Sequence, residues 1–172
     1  GLAEDIAAWA DRRGLLVGSD WRHLEKVVAK PSFSSTASDQ EQLPVVFAHG
    51  MGDSCFNDGM QGIVKQTSDM LSGVYVVCIP TGKTRHEDTT NGYFLNMDAS
   101  VDIFATAIQE NPQLQNGFHA IGFSQGNNVI RGYIARYNDP PVDAFLSVNG
   151  VNAGVGAVPY CHPKEPEEDE VI

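Results

Sequence analysis

Phe118 to Gly126 reads FHAIGFSQG: a short apolar run, a glycine-flanked serine, then the opening of an amphipathic stretch. From Gln125 to Tyr137 the residues Val129, Ile130, Tyr133, Ile134 and Tyr137 recur at helical spacing. Strand, then Gly122-Phe123-Ser124-Gln125-Gly126, then helix is the context that a G-x-S-x-G pattern needs. A tight elbow there holds the serine in a strained backbone conformation, and its glycines let neighbouring backbone pass close. Ser124 is therefore the candidate nucleophile, its hydroxyl expected above the carboxyl end of a sheet, with Gly122 and Gly126 as supporting glycines. An ordinary loop between strand and helix is the alternative reading of the same five residues.

Working outward, Leu43 to Ala48 (LPVVFA), Val74 to Ile79 (VYVVCI) and Val142 to Val148 (VDAFLSV) are also short and rich in β-branched or aromatic residues, as buried parallel strands are. Gly62 to Leu71 and Ser100 to Glu110, with Val101, Phe104 and Ile108 on one face, read as helices between them. The alternation predicts an α/β domain with a parallel sheet and right-handed crossovers. His49-Gly50-Met51-Gly52-Asp53-Ser54 ends the first strand as the serine turn ends the third. In α/β hydrolases the oxyanion hole pairs the amide after the nucleophile with an amide from the loop after an early strand. The Gln125 and Met51 N–H groups are the corresponding donors here, with His49, Gly50 and Gly52 shaping the turn.

The 172 residues suit one domain, and 42% apolar content suffices for a core. No run of about 18 uncharged apolar residues occurs, which excludes a transmembrane helix from the sequence. A net charge of −11 repels polyanions, so nucleic acid is not an expected partner. Cys55, Cys78 and Cys161 cannot all pair with one another and form no C-x-x-C, so neither a closed disulfide framework nor a zinc site is implied. The opening segment lacks the pattern of a signal peptide, and no N-x-S/T triplet occurs.

Residues 1–30 read as a helical extension, carrying Leu2, Ile6, Trp9 and Ala10, then Trp21, Leu24, Val27 and Val28. Residues 31–42 have linker composition, and 162–172 read as an acidic tail with no metal site. Gly82-Lys83-Thr84 is not a phosphate loop, because Val77 stands where that pattern needs glycine. His86-Glu87-Asp88 reads as a solvated loop.

Together LPVVFAHGMGDSC (Leu43 to Cys55), GKT (Gly82 to Thr84), YFLN (Tyr93 to Asn96), GFSQG (Gly122 to Gly126), Pro140-Pro141 and the following LSVNG resemble the palmitoyl-protein thioesterase family in order and spacing, over residues 43–161. The resemblance implies an α/β-hydrolase-like parallel sheet with flanking helices in the spatial order second, first, third, fourth strand. It also implies a serine hydrolase that removes long fatty acyl groups from S-acylated proteins without a cofactor, in a lysosomal or secretory setting. Ser124 would be the nucleophile, with Met51 and Gln125 as oxyanion donors.

The departures are specific. Asn127 stands where the family often has glycine, Asn152 where it has a histidine, and Ala105 and Asn138 where it has two cysteines. The family's Asp and His follow the nucleophile at a distance, after further strands and helices. Here the only histidine after Ser124 is His162, on a Pro-rich acidic stretch, and Asp143 lies at the wrong end of a strand. The sheet is therefore expected to be incomplete in this chain, with the strand at 142–148 an edge that lacks charge, proline or bulge and needs cover from another chain or further sequence. Two functional expectations follow: the amino-terminal part of a thioesterase, with an ester lipase as a variant, or an inactive hydrolase-derived interaction subunit.

Overall fold

The computed structural model describes residues 42–155. The helical extension over 1–30, all but the last residue of the 31–42 linker, the acidic tail and His162 lie outside the described residues.

Four parallel strands form one sheet: β1 (Val45–Ala48), β2 (Val76–Cys78), β3 (Phe118–Phe123) and β4 (Val142–Val148), in the spatial order β2-β1-β3-β4. This is the order expected from the family resemblance, and it gives the arrangement of a partial α/β-hydrolase fold. Helix α1 (Asp58–Met70) links β1 to β2, and α2 (Arg85–Phe94) and α3 (Met97–Gln109) link β2 to β3. Helix α4 (Gly126–Arg136) links β3 to β4.

Strand periodicity divides the core. Val45 and Phe47 of β1 point to one face, where Met60 and Leu71 of the α1 region cover them. Val46 and Ala48 point to the other, against Phe104 and Ile108 of α3 and Val129, Ile130 and Tyr133 of α4. The central strands β1 and β3 are buried on both sides, which explains their continuous apolar sequences. Tyr133 joins α4 to the chain beyond it by donating its hydroxyl to the Pro140 carbonyl at 2.6 Å, and it packs edge-on against Phe104.

Three sequence expectations change. First, α2 exists where a solvated loop was expected. Thr84 caps it by accepting from the Glu87 N–H at 3.2 Å, while the Glu87 carboxylate accepts from the Lys83 N–H at 2.8 Å. That reciprocal arrangement closely resembles a capping box and explains why Gly82-Lys83-Thr84 stands there. Second, β4 carries a bulge. Phe118 pairs with Val142 but His119 pairs with Ala144, leaving Asp143 as the extra residue beside the His119 ring, with its carboxylate 3.3 Å from Nδ1. Third, Cys55 and Cys78 form a disulfide between the loop after β1 and the end of β2.

At the two positions where the family has cysteines, Ala105 is buried in α3, and Asn138 accepts from the Val142 N–H at 3.0 Å in the turn before β4.

Candidate active site

The connections leaving β1 and β3 cross to opposite faces of the sheet, α1 to one and α4 to the other. A crevice opens between two strands so arranged, at their carboxyl ends. The loop from His49 to Cys55 forms one side of it and the turn at Ser124 the other.

Ser124 sits between β3 and α4 with φ +48°, in the left-handed region that a non-glycine residue rarely occupies. The strain is held by backbone bonds on both sides. Ser124 N–H donates to the Val148 carbonyl at 3.0 Å, and the Ser124 carbonyl accepts from Asn127 N–H at 3.2 Å. Asn127 adds a clip: fully buried, its Nδ2 donates to the Ser124 carbonyl at 2.9 Å and to the Val148 carbonyl at 3.1 Å. A glycine here could make neither bond, so the departure at Asn127 ties the serine turn to the end of β4.

The two loops touch through glycine. A Cβ on Gly50 would lie 3.3 Å from the Ser124 Cβ and 3.4 Å from the Phe123 carbonyl oxygen. A Cβ on Gly126 would overlap the Ala48 carbonyl oxygen and lie 2.6 Å from that of His49. Only glycine lets α4 begin this close to the end of β1. Gly122, the other supporting glycine, faces Asn127, whose N would lie 2.9 Å from an added Cβ.

Met51 is exposed at the tip of its turn and Gly52 has φ +77° beside the Tyr93 ring. The backbone N–H groups of Met51 and Gln125 donate to no acceptor among the described residues, so both are free to meet a ligand oxygen. Below the two loops the packing leaves a cavity of about 20 Å³, bordered by His49, Thr81, Ser100 and Gln125.

His49 is buried and braced rather than aimed at the serine. Its Nδ1 lies 2.9 Å from the Gly50 carbonyl and its Nε2 lies 3.0 Å from Asp88 Oδ1. Both ring nitrogens are thus engaged, one within the loop and one on α2. The α2 partner is the residue that sequence reasoning missed. Asp88, placed by the sequence in a solvated loop, is completely buried on α2. Its Oδ1 accepts from His49, from Thr81 N–H at 2.7 Å and from Thr81 Oγ1 at 3.0 Å; its Oδ2 accepts from Ser54 Oγ and Cys55 N–H, each at 2.9 Å.

Burial disfavours charge on both groups. For Asp88 the hydrogen bond and charge of His49, with the Thr81 and Cys55 amides, outweigh burial and bring the pKa down to about 2. For His49 the bonds to Asp88 and Gly50, with the charges of Asp88 and Asp53, outweigh burial and raise the pKa. Ligand atoms of His49, Cys55 and Asp88 lie within 4.8 Å of one another. Cys55 Sγ, however, is bonded to Cys78, and the other two already pair with each other, so the trio is a brace and not a set of open ligands.

The other described histidines sit elsewhere: His86 is exposed on α2 and His119 is at the amino end of β3 beside Asp143. Asn152, at the family's histidine position, lies in the turn after β4, 3.4 Å from Arg131 Nη1 and 3.4 Å from Ser147 Oγ.

A family model described as palmitoyl protein thioesterase matches residues 44–171. The chain is 38% identical over 122 residues to palmitoyl-protein thioesterase 1 of Caenorhabditis elegans, covering 70% of this chain and 41% of that protein. It is 32% identical over 117 residues to palmitoyl-protein thioesterase 3 of Dictyostelium discoideum, covering 68% and 38%. It is also 28% identical over 123 residues to a palmitoyl-protein thioesterase-dolichyl pyrophosphate phosphatase fusion of Schizosaccharomyces pombe, covering 72% and 20%. The matched stretch thus spans about two fifths of the first two relatives' length and a fifth of the third.

Proposed function

Because the chain belongs to the palmitoyl protein thioesterase family, we propose that it carries the nucleophile and the oxyanion donors of a serine hydrolase that cleaves long-chain fatty acyl thioesters from protein cysteines. The observation that carries this reading is the meeting of the two loops: Ser124 in a strained turn, against Gly50, with the Met51 and Gln125 amides unengaged.

In the proposed reaction Ser124 Oγ gives its proton to a histidine base and attacks the thioester carbonyl, whose oxygen, as an oxyanion, accepts from the Met51 and Gln125 N–H groups. Collapse breaks the C–S bond, and the departing cysteine sulfur takes the proton. Water then hydrolyses the acyl-serine by the same route, releasing the fatty acid. Each oxyanion donor contributes roughly a hundred- to a thousandfold in rate. None of this chemistry calls for a cofactor or metal. The base and its carboxylate partner belong outside the described residues, since His49 is committed to Asp88 and His119 to the far end of the sheet.

The proposed partner is an S-acylated protein, with further chain or a second subunit along β4. A lysosomal or secretory setting is supported by the Cys55–Cys78 disulfide, a bond that persists in oxidising compartments. Among the described residues no helix is long and apolar enough to cross a membrane.

The test is hydrolysis of a palmitoyl thioester by the full-length gene product, together with labelling by a fluorophosphonate probe. Ser124→Ala is expected to abolish both. Full activity in that variant would refute the assignment, and a folded protein that neither labels nor hydrolyses would make it a structural subunit. Comparing the thioester with a simple oxygen ester separates a thioesterase from a lipase.

A further inference from the structure

We propose that Asp88 is the positioning residue of the oxyanion loop, holding the Met51 amide at its working distance from Ser124 while never touching substrate itself. The inference rests on the reading of Met51 as an oxyanion donor and extends it to a residue on a different element.

The Met51 amide sits at the exposed tip of a short turn. Within the loop, the Gly50 carbonyl accepts from Asp53 N–H at 3.2 Å and lies 2.9 Å from His49 Nδ1, and Asp53 Oδ1 accepts from Ser54 N–H at 2.8 Å and from Asn57 Nδ2 at 2.6 Å. Asp88 adds what ties the two ends of the loop to α2. One carboxylate oxygen takes His49, the residue before the turn, and the other takes Ser54 Oγ and the Cys55 N–H, the residues after it. Both ends of the loop thereby close on one side chain. The two bonds from Thr81 fix that carboxylate in turn to the chain leaving β2.

One turn further along α2, Gly92 lets the helix come against the loop. A Cβ there would lie 3.1 Å from the Gly52 nitrogen and 3.6 Å from the Met51 Cα. Asp88 and Gly92, four residues apart, therefore form the face of α2 on which the turn rests.

The chemistry of the side chain matters. An ionised carboxylate is acceptor-only and has about four lone-pair sites, so it can receive all five donors with bifurcation at one oxygen. An asparagine offers one acceptor oxygen and an amide group that would confront the Ser54 hydroxyl and the Cys55 N–H. The buried Cys55 donor would lose its partner and the loop would shift. Oxyanion stabilisation depends on donors fixed before the reaction, and a displacement of about 1 Å is enough to cost roughly a hundredfold.

The experiment is steady-state hydrolysis of a palmitoyl thioester by the full-length gene product carrying Asp88→Asn. The expected result is a fall in kcat of about a hundredfold with KM changed less than about threefold, in a protein that still unfolds cooperatively. A kcat within about threefold of the natural protein, or a loss confined to KM, would overturn the proposal. If Asp88→Asn does not fold, Ser54→Ala decides. It removes one donor from the loop side and leaves the carboxylate, so kcat should fall several-fold at constant KM, and an unchanged kcat would overturn the proposal. Ser124→Ala in the same assay keeps the two ideas apart: activity there removes the nucleophile reading, whereas an inactive Ser124→Ala with an unimpaired Asp88→Asn removes only the positioning role.

Discussion

Both ring nitrogens of His49 face oxygen acceptors, the Gly50 carbonyl and the Asp88 carboxylate, so the doubly protonated ring satisfies both at once. That geometry ties folding to pH from two sides. The raised His49 pKa means its contribution is complete below the ordinary value of 6.5 and is lost as pH rises through the raised folded value. The Asp88 pKa, lowered from 3.8 to about 2, means its contribution is complete above 3.8 and is lost as pH falls towards 2. The two shifts describe one interaction seen from each partner, so they are not added. The stability gap between the natural protein and Asp88→Asn should be widest between about pH 4 and 6.5 and narrow on either side, by roughly 2 kcal/mol at the acid end. Denaturant unfolding across that range measures it, and a gap that stays constant with pH would contradict the assignment.

Element packing at the site depends on how closely α4 approaches β1. The helix begins at Gly126, where an added Cβ would overlap the Ala48 carbonyl and crowd that of His49. Neither is a flexible side-chain end that can swing aside; both are buried backbone at the carboxyl end of β1. Gly126→Ala should therefore push the serine turn and the His49 loop apart. About 1–3 kcal/mol of stability should go with it, the usual scale for overpacking. The displaced oxyanion donors should lower kcat by a further, separable factor of about a hundred. Urea unfolding and steady-state rates check the two parts, and a variant with natural stability would show that the two elements can yield without cost. Helix α2 packs by a different logic, since its buried residues are Asp88 and Gly92, one polar and one without a side chain.

For the molecule as a whole, the Cys55–Cys78 disulfide closes a loop that contains α1 and joins β2, an edge strand among those described, to the loop bearing Met51. A closure with a sequence separation of 23 stabilises by about 3 kcal/mol in the chain-entropy account. Cys78→Ala should lower the unfolding free energy by that order under non-reducing conditions, and reduction of the natural protein should bring its unfolding midpoint close to the variant's. Equal midpoints for oxidised natural protein and variant would refute this. At the other edge among the described strands, β4 is half-exposed and carries a bulge at Asp143, near its start, a feature that blunts edge pairing.

Among the described residues, the sequence by itself determined the α/β class, all four strands, three of the four α-helices and the two loops that face each other. Strand cores and amphipathic helices write their burial into apolar periodicity, and the glycines of GFSQG and HGMG mark where backbone must pass close. Phe118–Phe123 and Val142–Val148 could be read to the residue for this reason. Only the tertiary structure decided what holds the site together. Helix α2 presents no apolar stripe, because what it buries is a carboxylate and a glycine; the Thr84-x-x-Glu87 cap was its one legible signal. A buried charge looks like a surface charge in sequence until its donors are known, and those of Asp88 come from positions 49, 54, 55 and 81. The Cys55–Cys78 pair was equally hidden, since three cysteines permit several pairings and only the parallel alignment of β1 with β2 brings these two within reach.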